Sequence, residues 1–124
     1  KLLWMAMDAK LARRTIIEGE FRVLQAMCQA GGRGPMWERA TEALAGYGFR
    51  DPLHQLIFDA LRTIPPSPPS ELCAALIQRL TRQGFPDVDI EPFFQRHAMS
   101  PELALSIIEH LKFTARLDLT GDQR

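Results

Sequence analysis

The chain has 124 residues, and its 15 lysines and arginines balance its 15 aspartates and glutamates. This length fits one domain with its own hydrophobic core, and the balanced charge argues against direct nucleic-acid binding, which usually goes with an excess of basic residues. No apolar run is long enough to span a membrane, and the two cysteines have no disulfide or metal-binding spacing, so we expect free buried thiols in a cytoplasmic protein.

Two helices are predicted before the first glycine turn. The first, Leu2–Ala12, is apolar over much of its circumference. Thr15 and Glu18 have the spacing of a capping box, in which each side chain satisfies a free backbone N–H group. We therefore expect a second helix that begins at Thr15 and ends near Ala30. Capping and solvent exposure explain Glu18 and Glu20 better than an acid–base pair does, because residues two apart on a helix face different directions.

A glycine-rich turn, Gly31–Gly34, ends that helix and leads to Pro35, which suits the first turn of the next helix. That helix is expected to end at Gly46 or Gly48. The glycines follow a helix rather than a strand, so they do not favour phosphate binding. A helix-turn-helix built on this turn would read DNA with a helix whose only basic residue is Arg39, the wrong charge for a DNA groove.

The stretch over residues 49–64 predicts the central helix of the fold. Asp51 is a good N-cap, and Pro52 at the first helical position loses no hydrogen bond. His54 lies in the first turn, and we expect a structural histidine that forms hydrogen bonds locally. One continuous apolar face, typical of a helix buried among others, carries Leu53, Leu56, Ile57, Ala60, Leu61 and Ile64.

A stiff, extended connector follows over Pro65–Pro69, because prolines cannot continue a helix and favour the polyproline conformation. It is either a spacer between helices or a docking ligand for an aromatic groove. Ser67 or Ser70 is expected to cap the next helix, which ends at Gly84.

The last part of the chain predicts a short helix over Pro92–His97 and a long helix over Pro101–Leu117, which Ser100 caps. A polar tail follows over residues 118–124. The long helix is apolar over more than one stripe, so it is either central to the core or pairs with another chain.

No stretch alternates apolar and polar residues as a strand does. We therefore predict an all-α fold, a compact bundle of six or seven short helices without a sheet, that forms one domain over residues 1–117. We expect no catalytic residue, cofactor or metal, because the histidines have no metal-ligand spacing and there is no P-loop or nucleophile elbow. An enzyme would need a pocket that gathers His54, His97 or His110 with carboxylates.

One series of residues runs in order through the middle of the chain. It consists of Glu18-x-Glu20-x-x-Val23-Leu24, then Trp37, then Phe49-x4-His54-x2-Ile57-Phe58, then Leu72, Leu76, Leu80 and Gly84. The series resembles the N-terminal domain of DnaB-type replicative helicases, and the helicase-binding C-terminal domain of bacterial primase has a similar pattern. The resemblance covers about residues 16–85, between an N-terminal helix over 1–14 and C-terminal helices over 89–117. The family's glycine–tyrosine marker after the fourth helix is absent, as is the ATPase motor.

The resemblance implies a non-enzymatic interaction module that forms a dimer or docks on a helicase- or primase-like partner. The family's interface is usually assigned to its final helical hairpin, which here corresponds to Pro92–Leu117. Within that range we predict partner contacts at Phe93, Phe94, Leu105 and Ile108, although a core position would give the same apolar pattern. A small helical DNA-binding regulatory protein is the alternative function.

Overall fold

Helices form every regular element in the part of the chain that the structure describes. The computed structural model describes residues 2–95 and 100–122, with side chains for residues 14–95, 100 and 102–113. Within these ranges the helices are α1 (Leu2–Ala30), α2 (Pro35–Ala43), α3 (Pro52–Leu61), α4 (Pro69–Arg82), α5 (Glu91–Phe94) and α6 (Pro101–Asp122). The same ranges contain no strand, which confirms the predicted all-α class. None of the described helices is both long and apolar enough to cross a membrane.

Residues 2–30 form one helix, so the predicted break at Thr15 is wrong. Thr15 and Glu18 lie inside α1, where backbone N–H groups are already bonded within the helix and need no cap. Glu18 instead pairs with Arg22, one turn further on, at 3.0 Å. Neither proline nor glycine occurs between Leu2 and Glu18, so the sequence has no residue that stops the helix there.

The other helices pack around α1, which contacts α2, α3, α4, α5 and α6. Its 29 residues make it about 43 Å long. Gly19 allows α6 to approach closely, because a Cβ atom at this position would lie 3.3 Å from Cγ2 of Ile107. The largest fully buried side chains are Phe58, Leu24, Met27, Leu44, Ile57, Leu61, Leu72, Leu76, Leu80, Ile108, Leu111 and Glu20. Glu20 is the only charged residue in this set.

Two of the predicted caps are confirmed. Oδ1 of Asp51 accepts the backbone N–H of Leu53 at 2.9 Å and begins α3. Oγ of Ser100 accepts the backbone N–H of Leu103 at 3.1 Å at the start of α6. In both helices a proline occupies the first helical position, as the sequence predicts.

The proline connector between α3 and α4 packs on the glycine turn after α1. The backbone N–H of Ser67 donates to the carbonyl oxygen of Gly31 at 2.9 Å. Gly31 has a φ of +67°, and a Cβ atom there would overlap the carbonyl oxygen of Ser67. The connector is therefore a spacer held by its own chain. The predicted serine caps are wrong, because the N-cap of α4 is Pro68, Ser67 precedes it and Ser70 lies within the helix.

Three helices differ from their predicted lengths. α2 ends at Ala43, before Gly46. α5 stops at Phe94, and Gln95 is extended, so the predicted helix over Pro92–His97 is wrong at Gln95, while Arg96 and His97 lie outside the described ranges. α6 continues past Leu117 to Asp122, because the residues after Leu117 include no proline that would end a helix.

Candidate functional site

A buried carboxylate lies where α1 meets the start of α3. Glu20 is 0% exposed. Its Oε2 accepts the hydroxyl of Tyr47 at 2.6 Å and the backbone N–H of Arg50 at 2.7 Å. Its Oε1 accepts the backbone N–H of Asp51 at 3.3 Å and lies 3.0 Å from Nδ1 of His54. The loop before α3 and the first turn of α3 thus wrap around one side chain of α1. These contacts satisfy both oxygens of the buried carboxylate.

His54 is held between two carboxylates. It is 4% exposed, its Nδ1 faces Glu20, and its Nε2 lies 3.7 Å from Oδ2 of Asp51. Nδ1 and Oε1 of Glu20 are within hydrogen-bond distance, and the tautomer of the ring sets which group donates. His54 and Glu20 are both buried from solvent, so their contact is suited to stabilising the fold rather than to proton transfer to a substrate. His54 has a local contact with Asp51, three residues earlier, but its hydrogen bond is with Glu20, 34 positions away in sequence.

Tyr47 closes the network on its other side. Burial, with the hydrogen bond to Glu20, raises the pKa of Tyr47 above its usual range, so the phenol keeps its proton and remains a donor. Its ring meets Phe49 edge-on with the centroids 4.9 Å apart. Phe49 in turn packs on Phe58 at 5.1 Å. The polar contacts of Glu20 therefore have an aromatic wall on one side.

The expectation that Glu20 faces solvent is wrong. Glu18, two residues earlier, does point outward, with 61% of its side chain exposed. Glu20 lies three or four positions from Ile16, Val23 and Leu24, which are all buried. This spacing places Glu20 on the inner face of α1, and it is the sequence signal that predicts its burial.

The four predicted partner contacts lie in or against the core of the chain. Phe93 is 3% exposed and Ile108 is 0% exposed, so neither side chain is available to a partner in this fold. Phe93 packs on the ring of Phe21, with the centroids 4.9 Å apart. Phe94 and Leu105 are partly buried and also pack on the core. Contact with a partner through Phe94 and Leu105 stays a prediction.

The exposed apolar side chains of α6 are not the predicted contacts Leu105 and Ile108 but lie on another side of the helix. Leu103 is 51% exposed and Phe113 is 59% exposed. Ser106 and His110, which are also exposed, lie between them. The spacings of three, four and three residues place all four on one side of the helix. This row, Leu103, Ser106, His110 and Phe113, is called the α6 strip below.

The other candidates for chemistry do not come together with His54. His110 lies in the α6 strip, and His97 is outside the described ranges. The described residues include no group of three or more His, Cys, Asp or Glu side chains that could hold a metal ion. Cys28 is buried as predicted, whereas Cys73 is only half-buried. Burial, with the nearby Cys73, raises the pKa of Cys28 to about 12, so this thiol stays protonated and is a poor nucleophile.

No family model, curated protein sequence or solved structure matches this chain. The similarity to the N-terminal domain of DnaB-type helicases therefore stays a prediction from residues 16–85.

Proposed function

We propose that the chain is a non-enzymatic protein–protein interaction domain. It would be similar to the helicase–primase interaction module of DNA replication, without the ATPase motor. The α6 strip carries this proposal, because its two large apolar side chains, Leu103 and Phe113, stay exposed on the same side of one helix of the folded domain. We place the protein in the cytoplasm, where free thiols such as those of Cys28 and Cys73 remain reduced.

Contacts between the residues that resemble the helicase domain support the proposal. Glu20 and His54, two residues of that series far apart in sequence, are in contact at 3.0 Å. Phe49 and Phe58, which also belong to the series, pack with their rings 5.1 Å apart. Together they fix the start of α3 on α1. The residues that give the resemblance are thus residues that build the fold, which is what a shared fold requires.

A second copy of the chain is the partner that we propose for the α6 strip. If two α6 helices pair antiparallel about the middle of the strip, Leu103 of each copy meets Phe113 of the other, and Ser106 meets His110. The strip is thus self-complementary, as the interface of a two-fold dimer must be. Four side chains per copy bury less than the roughly 1,600 Å² of a standard interface, so we expect a weak dimer.

Light scattering over a concentration series tests this proposal. We expect the mass of the unmodified chain to rise from that of a monomer towards that of a dimer. Leu103→Glu should abolish the rise, because it buries a carboxylate against an aromatic ring. The double variant Leu103→Glu/Phe113→Lys should restore part of it, because antiparallel pairing brings the opposite charges together. Ile77→Glu changes a side chain that is 48% exposed on α4, so it is the matched control and should dimerise normally.

Circular dichroism shows whether each variant has kept its helices. Ile108→Glu changes a fully buried position, so its spectrum is the reference for a variant that unfolds. Dimers that form equally well with Leu103→Glu, or that are lost equally with Ile77→Glu, would contradict the assignment of the α6 strip. A strict monomer at the highest soluble concentration would refute self-association. The proposed partner would then be a helicase- or primase-like protein, and Leu103→Glu would test that contact by the same reasoning.

A further inference from the structure

Two open clefts lie side by side along the proline connector and share Pro66. The first has a volume of about 460 Å³ and lies between Trp37, Arg62 and the rings of Pro65 and Pro66. The second has a volume of about 300 Å³ and extends from Arg33 along the connector to Pro69. The two clefts therefore form one elongated surface rather than one compact pocket.

The walls of this surface are shallow and mix apolar rings with polar groups. Trp37 is half-buried and lines the first cleft, and the proline rings of the connector are exposed. An aromatic ring in a shallow groove is a typical contact surface for an extended, proline-containing peptide. The two threonines of the first cleft already donate to backbone carbonyls, Thr41 to Glu38 at 3.0 Å and Thr63 to Ala60 at 2.8 Å. Charged groups are therefore left to select the ligand.

Each cleft carries one arginine and no carboxylate. Arg62 lies in the first cleft and Arg33 in the second, and both are exposed. Neither forms an ion pair with a carboxylate in the described part of the chain. The guanidinium carbon of Arg62 lies 5.6 Å from the ring centroid of Phe58, which holds this side chain by a cation–π contact. The surface thus presents two positive charges, neither with a carboxylate partner among the described residues, beside the rings of Trp37 and the prolines.

We propose that the two clefts form one binding site for an extended, acidic peptide segment of a partner protein. The peptide would lie along the proline connector, with apolar rings on Trp37 and carboxylates paired with Arg33 and Arg62. An extended ligand matches two clefts in a row, and its negative charge matches the two arginines. The connector is tied to Gly31 through Ser67, so the site is largely formed before the ligand binds. It uses no residue of the α6 strip and is independent of dimer formation.

Nuclear magnetic resonance on the isotope-labelled 124-residue chain tests the site. The probe is an acetylated and amidated octapeptide that alternates glutamate with proline, which is about 25 Å long in the polyproline conformation. We expect saturable shifts of the Trp37 indole N–H, identified with a Trp37→Phe variant, and of the backbone N–H of Gly32. The same peptide with glutamine in place of glutamate should bind about five- to tenfold more weakly, and the lysine version should not bind.

Arg62→Gln and Arg33→Gln should each weaken binding by about two- to fivefold, because each removes one exposed charge pair. Arg82→Gln, at an exposed position on α4 outside both clefts, is the control and should bind like the unmodified chain. Four results would overturn the proposal: no saturable shift with the acidic peptide, equal binding of the glutamine peptide, shifts confined to residues outside the clefts, or an equal loss with Arg82→Gln. The Leu103→Glu variant should bind the peptide normally, which separates this site from the α6 strip.

Discussion

Replacing Glu20 by glutamine tests whether its carboxylate holds α3 on α1. Glutamine has nearly the same shape as glutamate, so the change leaves no cavity and mainly removes the charge and one acceptor oxygen. Glu18→Gln is the matched control, because it makes the same chemical change two residues earlier on the same helix, at a side chain that is 61% exposed.

The loss can be estimated from the four contacts of Glu20. With its oxygen towards Tyr47 and Arg50, glutamine directs its NH₂ group at the backbone N–H of Asp51 and at Nδ1 of His54. The ring of His54 can adapt by carrying its hydrogen on Nε2, which faces Asp51, but the backbone N–H cannot. The backbone N–H of Asp51, which is partly buried, is left without an acceptor at a cost of about 1–3 kcal/mol, and the two remaining bonds lose their charge assistance. The sum is roughly 2–4 kcal/mol, out of the 5–15 kcal/mol that is typical for a domain.

Equilibrium unfolding in urea, followed by circular dichroism, measures this difference. Glu20→Gln should shift the midpoint to lower urea without a change in slope, whereas Glu18→Gln should change the free energy of unfolding by less than about 0.5 kcal/mol, as is usual for surface positions. If the two variants were equally stable, the buried network would contribute nothing specific to stability.

Three further predictions concern other positions. Gly31→Ala should lower the free energy of unfolding by roughly 2–4 kcal/mol, because the φ of +67° is unfavourable for alanine and the new Cβ overlaps the connector. The control is Gly46→Ala, which should change the free energy of unfolding little, because a Cβ atom there meets no atom within 4 Å. Tyr47 is the only tyrosine, and its pKa is raised in the folded state. The free energy of unfolding should therefore be unaffected by Tyr47 below pH about 10 and fall above it. Phenolate absorbance should rise together with loss of helicity, and phenolate in a fully helical chain would contradict this. A thiol reagent should modify Cys73 in the folded chain but Cys28 only after unfolding, and rapid reaction of both would refute the buried placement.

Features whose cause is local were predicted well from the sequence. Asp51 and Pro52 act on the first turn of their own helix, and the apolar stripe of α3 needs only helical spacing to be recognised. The predicted capping box at Thr15 is wrong because its two residues alone do not distinguish the start of a helix from its middle. The same two residue types are also compatible with the middle of a helix, and only a break in the chain before Thr15 would make them a cap.

Features that depend on distant residues were not predicted. Helical spacing signals that Glu20 is buried, but its partners Tyr47 and His54 lie 27 and 34 positions away, and no local pattern identifies them. Helical spacing also gives Ile108 and Leu103 similar apolar weight on α6. Only the packing of α1 and α2 against α6 decides that Ile108 is covered and Leu103 is exposed.

Two sets of contacts with α1 and the turn after it hold α3 and its connector, and variants of each should affect stability and peptide binding differently. Glu20 holds the start of α3, and the carbonyl of Gly31 holds the connector that follows it. The contacts of Glu20 involve no residue of either cleft, so Glu20→Gln should reduce stability but leave acidic-peptide binding unchanged while the chain is folded. Gly31→Ala displaces the connector that forms both clefts, so it should reduce both.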